Sequence, residues 1–216
     1  MGYVHWFKQH KTVTPAQWRR FQDELTSVFD RLPPYSLSSR GEYKEEPIRI
    51  ADGFGQQRYT HGDDLFVDAA ASPGRGQALI FNGLMSTDMD HDGFHLTRLA
   101  SDQTKAFCTT ARKPYDFLVI ASLILINERA PGAFEIESDG DLMDWSPVGS
   151  WLARALHRDI RLPPKITGSD VLKHGCFSYI LEGAKPSYYD GIEVARRSHI
   201  ETGVIIESTR VEDCWF

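Results

Sequence analysis

The chain has 216 residues, of which 41% are hydrophobic and 12% aromatic, and it carries a formal net charge of −6. This length and apolar content suffice for the core of one medium-sized domain, which excludes a wholly disordered chain. The acidic balance argues against bulk nucleic acid as a partner, because proteins that coat DNA or RNA carry an excess of Lys and Arg.

The cysteine pattern and the apolar runs predict the compartment. Cys108, Cys176 and Cys214 include no C-x-x-C pair, and an odd, scattered set of thiols is typical of a reducing compartment. The longest apolar run, residues 117–126, has about half the length that crosses a bilayer. The first residues lack the apolar segment of a secretory signal. We therefore expect a soluble, cytoplasmic protein without a membrane partner.

In chain order, the first predicted elements are a short strand over residues 3–8 and a helix. The helix start is marked by Thr14 as the N-cap, Pro15 at the first helical position and Gln17 reaching back to the cap. Apolar residues then recur at helical spacing before Pro33: Trp18, Phe21, Leu25, Val28, Phe29 and Leu32.

Further elements follow between glycine-rich turns. Residues 101–111 favour a turn of helix. Pro114 opens a second helix over 115–129, whose apolar residues on nearly every side indicate burial. A strand is expected over 134–137, and Ser146-Pro147 open a third helix. The other predicted strands cover 48–51, 65–69, 77–81 and 94–98.

The order strand, helix, several strands, helix, strand and helix predicts an α+β domain over residues 1–161. Within that class it favours a ferredoxin-like sheet, built on the split βαβ arrangement with the helices on one face. Residues 162–216, with short strands expected over 176–181 and 203–207, are too few to bury a core of their own. We expect them to form a C-terminal extension or arm.

Residues 88–93 have the spacing D-x-D-x-D-G. Alternate carboxylates in a tight loop can wrap a divalent metal such as calcium or magnesium, and the glycine allows the sharp turn. The EF-hand pattern fails, because its twelfth position is Leu99 instead of a bidentate Glu. Asp88, Asp90 and Asp92 are therefore candidate ligands of a looser metal site. The alternative is a solvent-exposed turn, which Asp and Gly favour for backbone reasons.

Two motifs of the form H-x-T are candidates for phosphoester chemistry. In His95-Leu96-Thr97 and His10-Lys11-Thr12, a histidine would serve as general acid or base and the hydroxyl would bind phosphate. Two such motifs in a chain with eight histidines also occur by chance. His91, in the acidic loop, is a further candidate.

Residues 137–145 (ESDGDLMDW) follow a strand and precede a helix. Asp139 and Asp141 would lie at the carboxyl end of that strand. Together with the 88–92 group they could hold a metal for phosphoryl chemistry. The alternative is an Asp-Gly turn with acidic residues that suit the positive end of the helix dipole.

Residues 107–116 (FCTTARKPYD) place two cations ahead of a helix N-terminus. Free backbone N–H groups and the helix dipole attract anions there. Arg112, Lys113 and Tyr115 therefore predict a pocket for a nucleotide-like or otherwise anionic small molecule. The alternative is that Arg112 and Lys113 pair with nearby aspartates and that Tyr115 packs under the sheet.

Residues 5–8 (HWFK) combine aromatic and cationic side chains on the first strand. Aromatic residues on a sheet surface can stack bases. The two-residue period and the first helix, however, favour Trp6 in the core, and the acidic charge argues against a nucleic-acid platform. The chain contains no Walker A motif, no nucleophile elbow, no H-E-x-x-H motif and no cysteine zinc pattern.

Five segments together resemble a family of short bacteriophage and bacterial proteins without an assigned activity. They are HWFK (5–8), FNG (81–83), HDGF (91–94), FCTTARKPYD (107–116) and SDGD (138–141). The likeness covers roughly residues 3–157. Similar proteins have HETF where this chain has HDGF, so His91 rather than His95 is the shared position. The resemblance implies a phage or bacterial origin and a cytoplasmic location, in the host if phage-encoded, and implies no mechanism.

These patterns lead to three functional expectations. The leading one is a small cytoplasmic protein that binds a nucleotide-like or anionic ligand, or a protein partner. The alternative is a phosphoesterase or metal-dependent hydrolase in which His91 or His95 acts with Asp139, Asp141 and the carboxylates of residues 88–92. A second alternative is a structural or assembly subunit, a homo-oligomer in which residues 162–216 exchange as an arm.

Overall fold

The computed structural model describes residues 2–36, 43, 45–68, 76–100, 105–167 and 171–172. Most of the predicted C-terminal arm, including the strands expected over 176–181 and 203–207, lies outside the described residues. No helix in the described part of the chain is long and apolar enough to cross a membrane.

In the described part of the chain a strand and an α-helix come first, five strands follow, and α-helices and strands then alternate to the end. The strands are β1 (Val4–Gln9), β2 (Ile50–Ala51), β3 (Phe66–Val67), β4 (Ala78–Gly83), β5 (Phe94–Thr97), β6 (Lys105–Thr109), β7 (Phe134–Ser138), β8 (Ile160–Arg161) and β9 (Val171–Leu172). The helices are α1 (Pro15–Phe29), α2 (Asp116–Arg129), α3 (Leu142–Leu156) and α4 (Pro164–Thr167).

β1 is the central strand of the first sheet, and it pairs antiparallel with β6 on one side and with β7 on the other. β6 and β7 therefore run parallel to each other, and α2 lies between them in the chain. The loops at the carboxyl ends of β6 and β7 consequently emerge at the same edge of the sheet. The turn of helix predicted within 101–111 is wrong, because Lys105–Thr109 pair with β1 and this pairing outweighs local propensity.

β4 is the centre of the second sheet, and it pairs antiparallel with β2, β3 and β5. The chain thus belongs to the α+β class, with helices and antiparallel sheets. The ferredoxin-like prediction is not confirmed, because it expects one sheet, whereas these strands pair in separate sheets around β1 and β4. Beyond residue 161, β9 pairs with β8, and Leu162 is buried in the core.

The first two helices begin where the sequence predicts. Thr14 and Gln17 form both hydrogen bonds of the capping box at the start of α1. α2 packs against α1 and α3. Each of its residues from Asp116 to Ile126 is buried, as its apolar sequence indicates.

α3 begins at Leu142, four residues before the predicted start at Ser146. The Asp144 carboxylate accepts a hydrogen bond from the Asp141 N–H, so the acidic residues ahead of Ser146 cap the helix. Pro147 lies inside α3 rather than at its first position.

The two faces of the first sheet have different surroundings. His5 and Phe7 on β1 are buried on the face covered by α2, whereas Trp6 points to the opposite face and is half-buried. The prediction that Trp6 lies in the core is therefore wrong. The strand period places its neighbours His5 and Phe7 there instead.

Candidate functional site

The candidate site lies at the edge of the first sheet from which the β6–α2 loop (residues 110–115) and the β7–α3 loop (residues 139–141) emerge. Carboxyl ends of parallel strands are a common location for ligand sites, because rigid strands hold loops whose sequence is free to vary. β1 lies between the two strands and contributes residues from its amino end to the same edge.

Three side chains from separate segments form a hydrogen-bonded chain at this edge, which we call the relay. Ser138 Oγ lies 2.9 Å from His5 Nδ1, and His5 Nε2 lies 2.7 Å from Asp116 Oδ1. A carboxylate only accepts, so the network assigns the proton to His5 Nε2 and leaves Nδ1 to accept from the Ser138 hydroxyl. In enzymes that use this arrangement, a base activates a hydroxyl and a carboxylate orients the base.

The strand register brings the relay together. His5 is the direct neighbour of Ser138 across the β1–β7 pair, and Asp116 begins the helix that follows β6. Thr110 donates to Asp116 Oδ1 at 2.7 Å, and the Gly140 N–H donates to Ser138 Oγ at 2.8 Å. His5 and Asp116 are at most 1% exposed, whereas Ser138 is half-buried. Ser138 is therefore the most accessible residue of the relay.

Two buried donors beside the relay, the Tyr3 hydroxyl and the Trp145 Nε1–H, form no well-aligned hydrogen bond to the described residues, and the Tyr3 hydroxyl lies next to the Ser138 side chain. Both converge on Gly140: a Cβ there would overlap the Tyr3 hydroxyl and lie 3.0 Å from Trp145 Nε1. Burial, and then the carboxylates of Asp116 and Asp144, raise the pKa of Tyr3 above its ordinary range, so its hydroxyl stays a donor. An unpaired buried donor costs about 1–3 kcal/mol, so it calls for a functional explanation.

Arg112 adjoins the same donors. Its guanidinium binds both oxygens of the Asp144 carboxylate and lies 4.0 Å from the centre of the Tyr3 ring. Ala111 and Arg112 have positive φ angles of 51° and 60°. This left-handed conformation costs a residue with a side chain about 1–2 kcal/mol. Strain of this kind clusters at functional sites, where surrounding contacts hold it.

The predicted ligand-binding residues lie at this edge but already have contacts of their own. Lys113 Nζ donates to the backbone carbonyls of Asp88 and Asp90 at 2.8 and 2.7 Å. The buried Tyr115 hydroxyl lies 2.9 Å from the Asp92 carbonyl, and the Asp116 carboxylate occupies the first turn of α2. The alternative interpretation, in which the cations of residues 112–113 contact nearby aspartates, fits these contacts. Ligand binding there stays a prediction.

The acidic loop forms a turn. Asp88 has a positive φ of 55°, and its side chain is 98% exposed. The Asp92 carboxylate accepts a hydrogen bond from the Thr109 N–H at 3.0 Å. No three His, Cys, Asp or Glu side chains within the described ranges are grouped to hold a metal ion. The predicted calcium or magnesium site of Asp88, Asp90 and Asp92 thus has no ligand set in the described part of the chain.

The predicted catalytic residues are divided between two places. Asp139 and Asp141 lie in the β7–α3 loop, where Asp139 Oδ2 accepts from the Val4 N–H at 3.1 Å. His91 and His95 are exposed, and the His91 ring lies 3.5 Å from Asp92 Oδ1. Asp139 and Asp141 therefore adjoin the relay, whereas His95 lies on β5 of the second sheet and His91 in the loop before β5.

Sequence reasoning singled out none of the three relay residues. The signal that was available is a polar residue at a position where an apolar one is expected. His5 alternates with Trp6 on a strand, Ser138 ends a strand, and Asp116 opens a helix that is otherwise apolar. Their convergence could not be inferred, because it depends on which strands pair.

No protein-family model, curated protein or solved structure matches this chain. The resemblance to bacteriophage and bacterial proteins therefore stays a prediction. Three of the segments that carry it, HWFK, FCTTARKPYD and SDGD, contribute His5, Asp116 and Ser138 to one site.

Proposed function

We propose that the chain is a hydrolase that cleaves an ester of a small anionic molecule. Ser138 is the nucleophile, His5 the general base and Asp116 the residue that orients His5. The observation that carries this proposal is the continuous relay from Ser138 through His5 to Asp116, with distances of 2.9 and 2.7 Å. Such relays are recognised by geometry and roles, and they occur on unrelated folds.

In the proposed reaction the Ser138 oxygen attacks the carbonyl carbon of the ester, and its proton passes to His5 Nδ1. Asp116 stabilises the imidazolium that forms. Collapse of the tetrahedral intermediate releases the alcohol, which takes the proton from His5 and leaves the acyl group on Ser138. Water then attacks the acyl group, giving a proton to His5, and the proton returns to Ser138 as the acid leaves.

In this proposal Tyr3 and Trp145 donate hydrogen bonds that stabilise the tetrahedral intermediate. Their buried donors form no well-aligned hydrogen bond to the described residues, and they converge beside Gly140, whose N–H binds Ser138 Oγ. The Tyr3 hydroxyl also lies next to the Ser138 side chain. Donors fixed in a dry site stabilise the oxygen that becomes negative during acyl transfer, and loss of one such donor typically lowers kcat by about 10²–10³-fold.

The position of Arg112 is the reason for proposing an anionic substrate. Its side chain is 30% exposed at the edge that carries Ser138, so a carboxylate or phosphate remote from the ester bond can approach the guanidinium. The Asp144 carboxylate, 2% exposed, holds that guanidinium in place. Planar guanidinium groups bind carboxylates and phosphates through paired hydrogen bonds.

The test is hydrolysis of short p-nitrophenyl esters, with and without a carboxylate on the acyl chain, in the presence of a metal chelator. We expect Ser138→Ala to lower kcat/KM by at least about 10³-fold. Ser86→Ala, which changes an exposed serine in another loop, serves as the matched control and should leave the rate unchanged. No hydrolysis by the wild type, or equal rates for Ser138→Ala and wild type, would refute the proposal.

Binding of a nucleotide-like or anionic molecule without turnover is the second candidate. The observation that favours it is the Arg112 guanidinium held over the Tyr3 ring, with Lys113 and Tyr115 in the same loop. Titration calorimetry with nucleotides tests it, and Arg112→Ala should abolish the heat of binding. Absence of heat with the wild-type protein would exclude this candidate.

The expectations about the ferredoxin-like fold, the biological source, the location and the partners are also kept as proposals. β6, α2 and β7 flank β1, which supports a ferredoxin-like, split βαβ origin of the first sheet. A phage or bacterial source, a cytoplasmic location, a protein partner and a homo-oligomeric or assembly role remain predictions. Light scattering of the full chain tests the oligomer, since a monomer at all concentrations would exclude it.

A further inference from the structure

The outer face of the first sheet, opposite the relay, carries an aromatic pair. Trp6 on β1 and Phe107 on β6 are direct cross-strand neighbours. Trp6 lies between the buried His5 and Phe7, and Phe107 precedes the buried Cys108. Phe107 is 62% exposed. The pair therefore presents the ring of Phe107 to solvent, with the half-buried Trp6 beside it.

Three lysines and two glutamates lie around this pair. Lys105 Nζ lies 5.4 Å from the centre of the Trp6 ring, and Lys8 is the cross-strand neighbour of Lys105 on the same face. Lys165 of α4 reaches the face from the β7 side, where it binds Glu135 and Glu137. Lys105 also binds Glu137, which is the cross-strand neighbour of Trp6.

We propose that this face binds single-stranded nucleic acid, with a base stacked on the exposed ring of Phe107 beside Trp6. Sheets that bind RNA stack two or three bases on aromatic residues of neighbouring strands. Sequence-independent binding of single strands combines base stacking with positive side chains along the backbone. On this face Lys8, Lys105 and Lys165 supply those side chains, although the whole chain has a net charge of −6. This binding site goes beyond the proposed hydrolase and uses the opposite face of the sheet.

In the proposed site the Glu137 carboxylate binds the lysines that a backbone phosphate of the nucleic acid would bind. It is bound by two lysines, Lys105 and Lys165, beside the aromatic pair. When the base of a nucleotide stacks on Phe107, its phosphate can replace Glu137 as the ion-pair partner of Lys105 or Lys165. The attraction between the phosphate and the lysine then favours binding of the nucleic-acid strand. Removal of the competing carboxylate should therefore strengthen binding, whereas a purely structural ion pair gives no such gain.

The experiment is fluorescence anisotropy of the full chain with labelled single strands of about ten nucleotides, as RNA and as DNA, with a duplex of the same sequence for comparison. We expect Phe107→Ala to weaken single-strand binding about 5- to 150-fold and Glu137→Gln to strengthen it. Phe54→Ala, at another exposed aromatic ring, is the matched control and should bind like the wild type.

Salt dependence separates stacking from bulk attraction. With three lysines available, the slope of log affinity against log salt should be no steeper than about −2. Preference for RNA or for DNA identifies which single strand is bound, and either preference supports the proposal. It is overturned if the wild type binds neither strand, if Phe107→Ala binds like the wild type, or if the duplex binds as tightly as the single strands.

Discussion

His5 and Asp116, 111 positions apart in the chain, form a 2.7 Å hydrogen bond in the interior of the protein. The bond joins the first strand to the first residue of α2. Because Ser138 binds the other nitrogen of His5, a single imidazole connects β1, α2 and β7. The contact therefore holds β1 and α2 together, and in the proposed reaction it orients His5.

Asp116→Asn keeps the shape of the side chain but removes the charge that binds His5 and Thr110. We expect the free energy of unfolding to fall by about 1.5–3 kcal/mol, the range for hydrogen bonds to charged groups. Urea denaturation measures it. Asp88→Asn, at a side chain that is 98% exposed, is the control and should change stability by less than about 0.5 kcal/mol. Equal effects of the two substitutions would show that the buried contact contributes nothing.

Gly140→Ala adds a methyl group at the point where Tyr3 and Trp145 converge. Overpacking of this kind costs about 1–3 kcal/mol, so we expect lower stability and an altered near-ultraviolet circular dichroism signal from the displaced rings. Chemical denaturation and the spectrum check both effects. Unchanged stability together with an unchanged spectrum would contradict the convergence of the two donors.

Ala111→Gly tests the strain in the β6–α2 loop. The left-handed backbone of Ala111 costs about 1–2 kcal/mol, and the added freedom of Gly in the unfolded chain offsets about 0.5–1 kcal/mol of the gain. We therefore expect net stabilisation of about 0.5–1 kcal/mol, measured by urea denaturation.

The reverse substitution, Gly132→Ala, is its matched control. Gly132 has a φ of 67°, and the nearest atom to a new Cβ there is Lys11 Nζ at 3.8 Å, so only the backbone opposes the change. We expect destabilisation of about 1 kcal/mol. Two shifts of the same sign would contradict the left-handed conformation at one of these positions.

Helices α1 and α2 and the apolar strands were predictable, because the sequence patterns that predict them are formed by residues close together in the chain. The Thr14 capping box and the apolar stripe of α1 act within one turn or one face. The nearly continuous apolar sequence of α2 indicates burial on most sides, and the structure buries every residue from Asp116 to Ile126. Asp139 and Asp141 were rightly expected at the carboxyl end of a strand.

The candidate site was not predictable, because it depends on contacts between distant segments. The local sequence of β6 predicts a helical turn, and its pairing with β1 makes it a strand instead. In the paired sheet His5, rather than Trp6, lies on the face that contacts α2. Short motifs instead drew attention to Asp88, His91 and His95, whose spacing is suggestive on its own. Spacing along the chain carries little information when the partner of each residue lies more than one hundred positions away, as it does for His5.

Glu137 provides a pH test on the outer face. Hydrogen bonds from Lys105, and then from Lys165, lower the pKa of Glu137 to about 2 from an ordinary 4.5. A lowered folded-state pKa stabilises the protein above pH 4.5, and this contribution is lost as pH falls through 2. We expect a carboxyl titration by NMR to place Glu137 well below 4.5, and Lys105→Met to move it upward. A midpoint near 4.5 in the wild type would contradict the ion pairs. Because the carboxylate is exposed, added salt should weaken the shift.

The central claim is that Ser138 is a nucleophile activated by His5. The most direct measurement is peptide mass spectrometry after treatment of the folded protein with a fluorophosphonate, which forms a covalent bond with activated serines and releases fluoride. We expect one adduct on Ser138 in the wild type, none in Ser138→Ala, and much slower formation in His5→Gln. An unlabelled Ser138 in the wild type, or labelling at the same rate in His5→Gln, would contradict the claim.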